Sequence, residues 1–105
     1  MVSKKAGIYL MSPEDVKVEL IAVIQEIQRD SGFPERPIIG TTCPVTDVEG
    51  FESPLWLDAI GMLAGRLGAR IPDGNNIFLS ENGMRRRTID EAAAVVCEIV
   101  QRGRR

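Results

Sequence analysis

A run of 22 residues, from 31 to 52, holds three prolines and three glycines, and no continuous helix can cross it. Apolar residues at helical spacing lie on both sides of this run, so it divides the chain. A connection of this length is uncommon inside a compact domain and is usually functional. We expect Ile38, Ile39 and Val45 to attach the connection to the core.

All three predicted helices begin with start signals, and those of the first and the last helix are as follows. In the first, Ser12 is expected to cap free amides and Pro13 fits the first helical position. Apolar residues then recur at helical spacing up to a stop signal at 30–32. In the last, Thr88 and Glu91 form a Thr-x-x-Glu capping box ahead of an apolar stripe. These signals predict two amphipathic helices.

A further predicted helix, the second of three, starts at Ser53-Pro54 and runs as far as Arg70, with Gly68 as an alternative stop. Its three glycines lower the helix propensity. Small residues at those positions would allow another helix to approach closely. The apolar stripe of this helix is predicted to contain Trp56, Ile60, Leu63 and Leu67, with Leu57 and Ala64 beside it.

The pattern predicts an all-α fold, a small bundle of three main helices with the long connection between helices one and two. At 77–79 we expect either a short apolar turn or a small extra helix. The 105 residues suit a single domain over 1–105, with flexible ends at 1–11 and 102–105. Hydrophobic residues make up 44% of the chain, which is enough to build a core and argues against disorder of the whole chain.

The chain has no histidine, which excludes Ser-His and Cys-His nucleophilic devices and histidine metal sites. Cys43 and Cys97 are too few and too far apart for a disulfide framework or a zinc site, and they indicate a reduced, intracellular compartment. We expect no catalytic residue, no metal and no enzymatic activity. The apolar run before Ser12 is far too short to span a membrane, so we expect a cytoplasmic protein with no membrane partner.

The order of the elements and several short motifs resemble the acyl carrier proteins and the related peptidyl carriers. The family's signature is Gly-x-Asp-Ser-Leu at the head of its second helix, and residues 50–54 (Gly-Phe-Glu-Ser-Pro) stand in that place. The resemblance covers about residues 12–101. Its further matches are Leu57, Asp58 and Ile60 after the serine, Ile71-Pro72-Asp73 after the helix, and Thr88 at the start of the last helix.

In that family the serine hydroxyl carries a 4′-phosphopantetheine arm from coenzyme A, whose terminal thiol holds acyl or aminoacyl groups as thioesters. The resemblance therefore implies that Ser53 carries this arm covalently and that the chain is a carrier for lipid or secondary-metabolite synthesis. It implies two classes of partner: a phosphopantetheinyl transferase, and acyl- or aminoacyl-transferring enzymes that dock on helix two. With a net charge of −2 we expect no nucleic acid partner, and we expect a monomer.

Two residues beside Ser53 depart from the family's pattern. Glu52 replaces the usual aspartate and keeps its charge, whereas Pro54 replaces the usual leucine, so Leu55 or Trp56 would have to take over its packing. These changes predict a specialised carrier, not the housekeeping one of fatty acid synthesis. They also leave a second interpretation open, in which the carrier fold has lost the arm and works as an interaction module. Ser53 is then only a helix N-cap.

Three other features each have a plain structural interpretation beside a functional one. Trp56 is predicted to pack on the core stripe, the alternative being an aromatic docking residue. Glu52 and Asp58 form an acidic docking surface or a solvated face, and the two are compatible. Arg85–Arg87 is expected to lie in a solvated loop. A third hypothesis is a small helical regulator that uses these arginines to bind an acidic partner or nucleic acid.

Overall fold

The computed structural model describes residues 11–34, 36–72, 76–80 and 83–103. Within these ranges the chain forms helices and only one isolated β-bridge, so the predicted all-α fold is confirmed. None of the helices in these ranges combines the length and the hydropathy needed to cross a bilayer. The helices are α1 (Pro13–Asp30), α2 (Pro44–Asp47), α3 (Ser53–Leu67) and α4 (Ile89–Gly103).

Helix α1 lies at the centre of the bundle, because both α3 and α4 pack against it. Its apolar residues recur every three or four positions, and Leu20 and Ile24 are completely buried in the core. On the surface, Arg66 of α3 contacts Glu19 and Glu26 of α1 at 3.1 and 3.3 Å. The two glutamates lie about two turns apart along α1, and both join it to the same arginine of α3.

The predicted caps of the first and last helices are both present. At the start of α1 the N–H of Asp15 donates to the hydroxyl of Ser12 at 3.2 Å, and the N–H of Ser12 donates to the Asp15 carboxylate at 3.0 Å. At the start of α4 the N–H of Glu91 donates to the Thr88 hydroxyl at 3.1 Å, and the N–H of Thr88 donates to the Glu91 carboxylate at 2.9 Å. Both are reciprocal capping boxes, so the two hydroxyls are used in starting the helices.

The long connection packs against the amino end of α4. The N–H of Ile89 donates to the carbonyl of Thr42 at 2.8 Å, and the N–H of Asp90 donates to the carbonyl of Gly40 at 2.9 Å. Together with the Thr88 cap, these bonds satisfy the free amides of the first turn of α4. Gly40 lies against the Asp90 side chain, so a Cβ atom at this position would displace the Asp90 carboxylate.

Helix α2, within the connection, was not predicted. It is a single turn that begins at Pro44, and the N–H of the preceding Cys43 donates to the Asp47 carboxylate at 2.8 Å. The turn brings Pro44 into the core, where it is fully buried. Four residues are too few to produce a helical period, so the proline and the aspartate were the only local signals.

Of the three residues expected to attach the connection to the core, two do so. Ile38 is buried and Val45 is half-buried against the core cluster. The prediction for Ile39 is wrong, since its side chain is 60% exposed. The cause is a tight turn at 39–42, in which the N–H of Ile39 donates to the Thr42 hydroxyl and the N–H of Thr42 donates to the Ile39 carbonyl. The turn places the backbone carbonyls of Gly40 and Thr42 against α4 and leaves the Ile39 side chain exposed to solvent.

Helix α3 ends at Leu67, because Gly68 adopts the left-handed conformation (φ 62°) that closes a helix. The alternative stop is therefore confirmed, and the extension to Arg70 is wrong. The predicted stripe is correct for Leu63, which is completely buried, whereas Leu57, which was placed beside the stripe, is 71% exposed. Since α1 is the main helix packed against α3, the buried face is narrow, and Leu57 lies outside it.

The segment before α4 forms a turn, which confirms one of the two structures expected at 77–79. Ile77 and Phe78 are completely buried at this turn. An isolated antiparallel bridge then joins Leu79 to Arg86. Among residues 76–80 and 83–88 no extra helix forms; the additional helix of the fold is α2 instead.

The ends expected to be flexible fall largely on residues 1–10 and 104–105, which lie outside the described residues. Of the others, Met11 is buried, and its carbonyl accepts hydrogen bonds from the Cys97 thiol at 3.1 Å and the Gln101 amide at 2.9 Å. Helix α4 continues to Gly103. The first described residue is therefore joined to the last helix.

Candidate functional site

Ser53 is the first residue of α3 and is exposed. The N-cap position is occupied by Glu52, whose carbonyl accepts from the N–H groups of Leu55 and Trp56 at 2.8 and 3.2 Å. No side chain caps this helix. The interpretation of Ser53 as an N-cap is therefore wrong by one position. Within the described part of the chain, neither its hydroxyl nor its backbone N–H makes a hydrogen bond.

Pro54 occupies the second position of α3 and is exposed. It faces solvent, and its missing N–H costs nothing because the first-turn amides have no intrahelical partner. Leu55 and Trp56, which follow it, are half-buried and pack against the core cluster. Both residues that were expected as alternatives to pack in place of Pro54 therefore do contact the core.

The turn that leads into α3 depends on Gly50. Its φ is +73°, in the left-handed region, and a Cβ atom there would collide with the ring of Phe33. Two backbone hydrogen bonds between residues close in sequence stabilise the turn. The N–H of Phe51 donates to the Val48 carbonyl at 3.2 Å, and the N–H of Glu52 donates to the Gly50 carbonyl at 2.9 Å. Sequence reasoning missed Phe33, which lies outside any periodic pattern and meets Gly50 only in the fold.

Trp56 packs against the core cluster, as its place on the stripe predicts, and its ring also has a polar contact. The indole Nε1–H donates to the carbonyl oxygen of Phe51 at 2.9 Å. Phe51 is itself only 3% exposed, and its ring meets that of Phe78 edge to face with centroids 5.1 Å apart. Phe51 and Trp56, two residues before and three residues after Ser53, are therefore attached to the core, whereas Ser53 is exposed.

An open groove of about 490 Å³ lies beside this site, between the end of α1 and the first half of α3. Its apolar lining includes Ile27, Leu55, Leu57 and Met62. Leu57 lies one helical turn beyond Ser53, so the groove begins close to the serine. The Leu57 side chain, 71% exposed, is the most exposed of these four apolar residues.

Acidic groups lie around the groove and the serine. Asp58 and Asp30 line the groove, and Glu52 is exposed directly before Ser53. Glu52 and Asp58 are both exposed at the first turns of α3, which confirms that they are solvated. Asp30 was not predicted, because it belongs to the stop signal of α1 and joins the groove only through the packing of α1 on α3.

In the run 85–87, two of the three arginine side chains bind other groups of the same chain. The guanidinium of Arg85 contacts the Glu91 carboxylate at 3.1 Å, and that of Arg87 donates to the carbonyl of Leu79 at 2.6 Å. Arg86 is exposed and takes part in the bridge with Leu79. The run therefore fixes the turn before α4, and it supplies no contact to the Ser53 site.

The remaining reactive groups do not gather into a second site. Among the described residues, no group of three histidine, cysteine, aspartate or glutamate side chains has the arrangement of a metal site. Burial raises the pKa of the Cys97 thiol, which keeps it protonated. Cys43 is half-buried at the start of α2. Of the residues singled out by the sequence, Glu52, Ser53 and Asp58 are exposed at the start of α3, and the arginine run makes no contact with them.

Comparison with protein-family models, with curated proteins and with solved structures found no match to this chain. Its own residues define a small all-α bundle with an exposed serine at the amino end of α3, whose hydroxyl makes no hydrogen bond within the described ranges.

Proposed function

We propose that the protein is an atypical carrier that holds acyl or aminoacyl groups as thioesters on a 4′-phosphopantetheine arm attached to Ser53. One observation carries the proposal: Ser53 is the hydroxyl residue at a helix start that is not used for capping. Ser12 and Thr88 both are. An exposed hydroxyl that has no partner among the residues the structure describes is available to accept a covalent group.

The surroundings of Ser53 suit a phosphodiester. Its oxygen lies at the amino end of a 15-residue helix, where the dipole favours negative charge, and the N–H of the same residue is free to donate. Attachment joins Ser53 Oγ to the β-phosphorus of coenzyme A and breaks the diphosphate link, with adenosine bisphosphate as leaving group. The hydroxyl proton passes to a base of the transferase. When bound, the arm supplies the thiol that carries the cargo, and the chain supplies its position.

The proposal gives the groove a role in docking. A partner enzyme or transferase that carries basic and apolar side chains would meet Asp30 and Asp58 at the rim and Leu57 between them. In this proposal the protein works in the cytoplasm as a monomer, as the sequence predicts, and performs no catalysis itself. The cargo is a lipid, polyketide or amino acid precursor.

A second candidate is an interaction module with the same fold and no arm. Pro54 favours it, because this exposed proline stands where the carrier signature has leucine and so changes the surface that a transferase would read. In that case Leu57 and the groove would be the functional surface without the serine.

Intact mass after incubation with coenzyme A and a broad-specificity phosphopantetheinyl transferase separates the candidates. We expect the wild type to gain the mass of one arm, Ser53→Ala to gain none, and the matched Ser12→Ala variant to gain as much as the wild type. A wild type and a Pro54→Leu variant that both stay unmodified would contradict the carrier. Modification of Pro54→Leu alone would favour the second candidate.

A further inference from the structure

The indole of Trp56 closes a short segment around Ser53, and we infer that Trp56 is the positioning residue that holds this serine in one conformation. We call residues 51–56 the Ser53 clasp, since the Trp56 Nε1–H donates across it to the Phe51 carbonyl at 2.9 Å. The effect on attachment of the arm rests on the proposed function. The effect on the order of Ser53 does not.

Helix α3 needs such a device because it starts without a side-chain cap. The amino ends of α1 and α4 are fixed by reciprocal bonds between the cap residue and the carboxylate three positions later. In α3 the cap position is held by Glu52, which makes no such bond. The hydrogen bond of the Trp56 indole has the corresponding role in α3, because it joins the first turn of the helix to Phe51, the residue before the cap.

Both ends of the clasp are attached to the core. Phe51 is buried, and its edge-to-face contact with Phe78 fixes the carbonyl that accepts the bond. Trp56 is half-buried against the core cluster. Ser53 and Pro54 lie between these anchors and are exposed. The clasp therefore combines a fixed backbone with an accessible hydroxyl.

This combination matters for attachment of the arm. A transferase reacts only with those conformers in which the serine oxygen lies in line with the phosphorus, so a fixed turn raises the reactive fraction. Loss of one hydrogen bond of ordinary strength lowers that fraction about fivefold.

The test removes only the donor. Replacement of Trp56 by benzothienylalanine, in which sulfur takes the place of the indole N–H, keeps the shape of the ring, and Trp56→Phe is the genetic counterpart. The matched control is Leu67→Ala, which removes core packing at the other end of the same helix. Two quantities are measured: the NMR order parameters of the Glu52, Ser53 and Leu55 amides, and kcat/KM of arm transfer to Ser53.

We expect both Trp56 replacements to lower the order parameters from about 0.85 towards 0.6 and to lower kcat/KM about fivefold. The control should leave both at the wild-type level. Wild-type order, or lost order with an unchanged rate, in the benzothienylalanine protein would overturn the positioning role. A wild type that accepts no arm overturns the proposed function instead, and the order parameters alone then decide whether Trp56 holds Ser53.

Discussion

The chain contains two Ser-Pro pairs at helix starts, and the fold uses them differently. In α1 the serine is the cap and the proline is the first helical residue, so the Ser12 hydroxyl accepts a bond from the Asp15 N–H. In α3 everything is displaced by one residue: Ser53 is the first helical residue, Pro54 the second, and the serine hydroxyl has no partner within the described chain. The hydroxyl of Ser12 therefore stabilises a helix start, whereas that of Ser53 makes no hydrogen bond within the described chain.

The difference arises from what precedes each pair. Before Ser53 the chain turns through Gly50 beneath the ring of Phe33, and it is held by the bond from Trp56 to Phe51. These contacts set where the helix begins, and they involve residues from both ends of the long connection. The role of a Ser-Pro pair is therefore set by the conformation of the residues that precede it, and not by the pair alone.

The largest effect is expected at the turn before Ser53. Gly50→Ala should destabilise the fold by about 3 kcal/mol, because the new methyl group meets the Phe33 ring and the left-handed backbone disfavours a side chain. Urea unfolding measures the change. The matched control is Gly61→Ala in the middle of α3, where a Cβ atom has open space and should stabilise by up to about 1 kcal/mol. Equal effects at the two glycines would show that the turn is not the constraint.

The next effect concerns the serine that caps. Ser12→Ala removes the acceptor for the Asp15 N–H and should cost about 1 kcal/mol, as is usual for the loss of an N-cap. Chemical denaturation followed by circular dichroism provides the measurement. Ser12→Asn, which keeps a capping side chain, should retain most of the stability. A loss of stability in the asparagine variant as large as in the alanine variant would argue against the cap.

A smaller effect on stability is expected from a change of pH, which acts on the capping box at the start of α4. This helix start has a side-chain cap, as that of α1 does and that of α3 does not. The hydrogen bond from the Thr88 N–H, and next the contacts with Arg85, hold the pKa of Glu91 below its usual value. Its stabilisation is therefore present above a pH of about 4.3 and is lost as the pH falls through the lower, folded pKa. Thermal unfolding of Glu91→Gln and wild type should differ at pH 6 and converge towards pH 3. A constant difference would contradict this.

The smallest effect is expected at the free serine. Ser53→Ala should change the free energy of unfolding by less than about 0.5 kcal/mol, because an exposed side chain with no bond is removed. Measured together with Ser12→Ala, this variant compares directly how much each serine contributes to the free energy of unfolding. A cost equal to that of Ser12→Ala would mean that Ser53 is a cap after all.

Features that depend on residues close in sequence were predicted well. The Ser12 cap, the Thr88 capping box and the alternative stop at Gly68 follow from residues within a few positions of each other, so their signals are complete in the sequence. Ser53 was misplaced by one residue, since Ser-Pro has the same local chemistry at both sites. The contact between Phe33 and Gly50 was not predicted, because it joins residues from the two ends of the long connection and has no period.

The exposure of Leu57 shows a second limit. Helical spacing orders residues around an axis, but the width of the buried face depends on how many neighbours the helix has. Helix α3 packs mainly on α1, so its apolar stripe is narrower than its apolar sequence. The groove was not predicted for a related reason: Asp30 and Met62 line it together only because α1 and α3 lie side by side.

The central place of α1 also has a consequence for the order of folding. Its contacts with α3 join segments separated by the long connection, whereas its contacts with α4 join the first and last helices and close the longest loop in the bundle. Loop closure costs more entropy as the loop lengthens, so the pair of α1 and α3 is favoured to form before α4 docks. On this route the turn that presents Ser53 takes shape while the α4 side of α1 is still open to water.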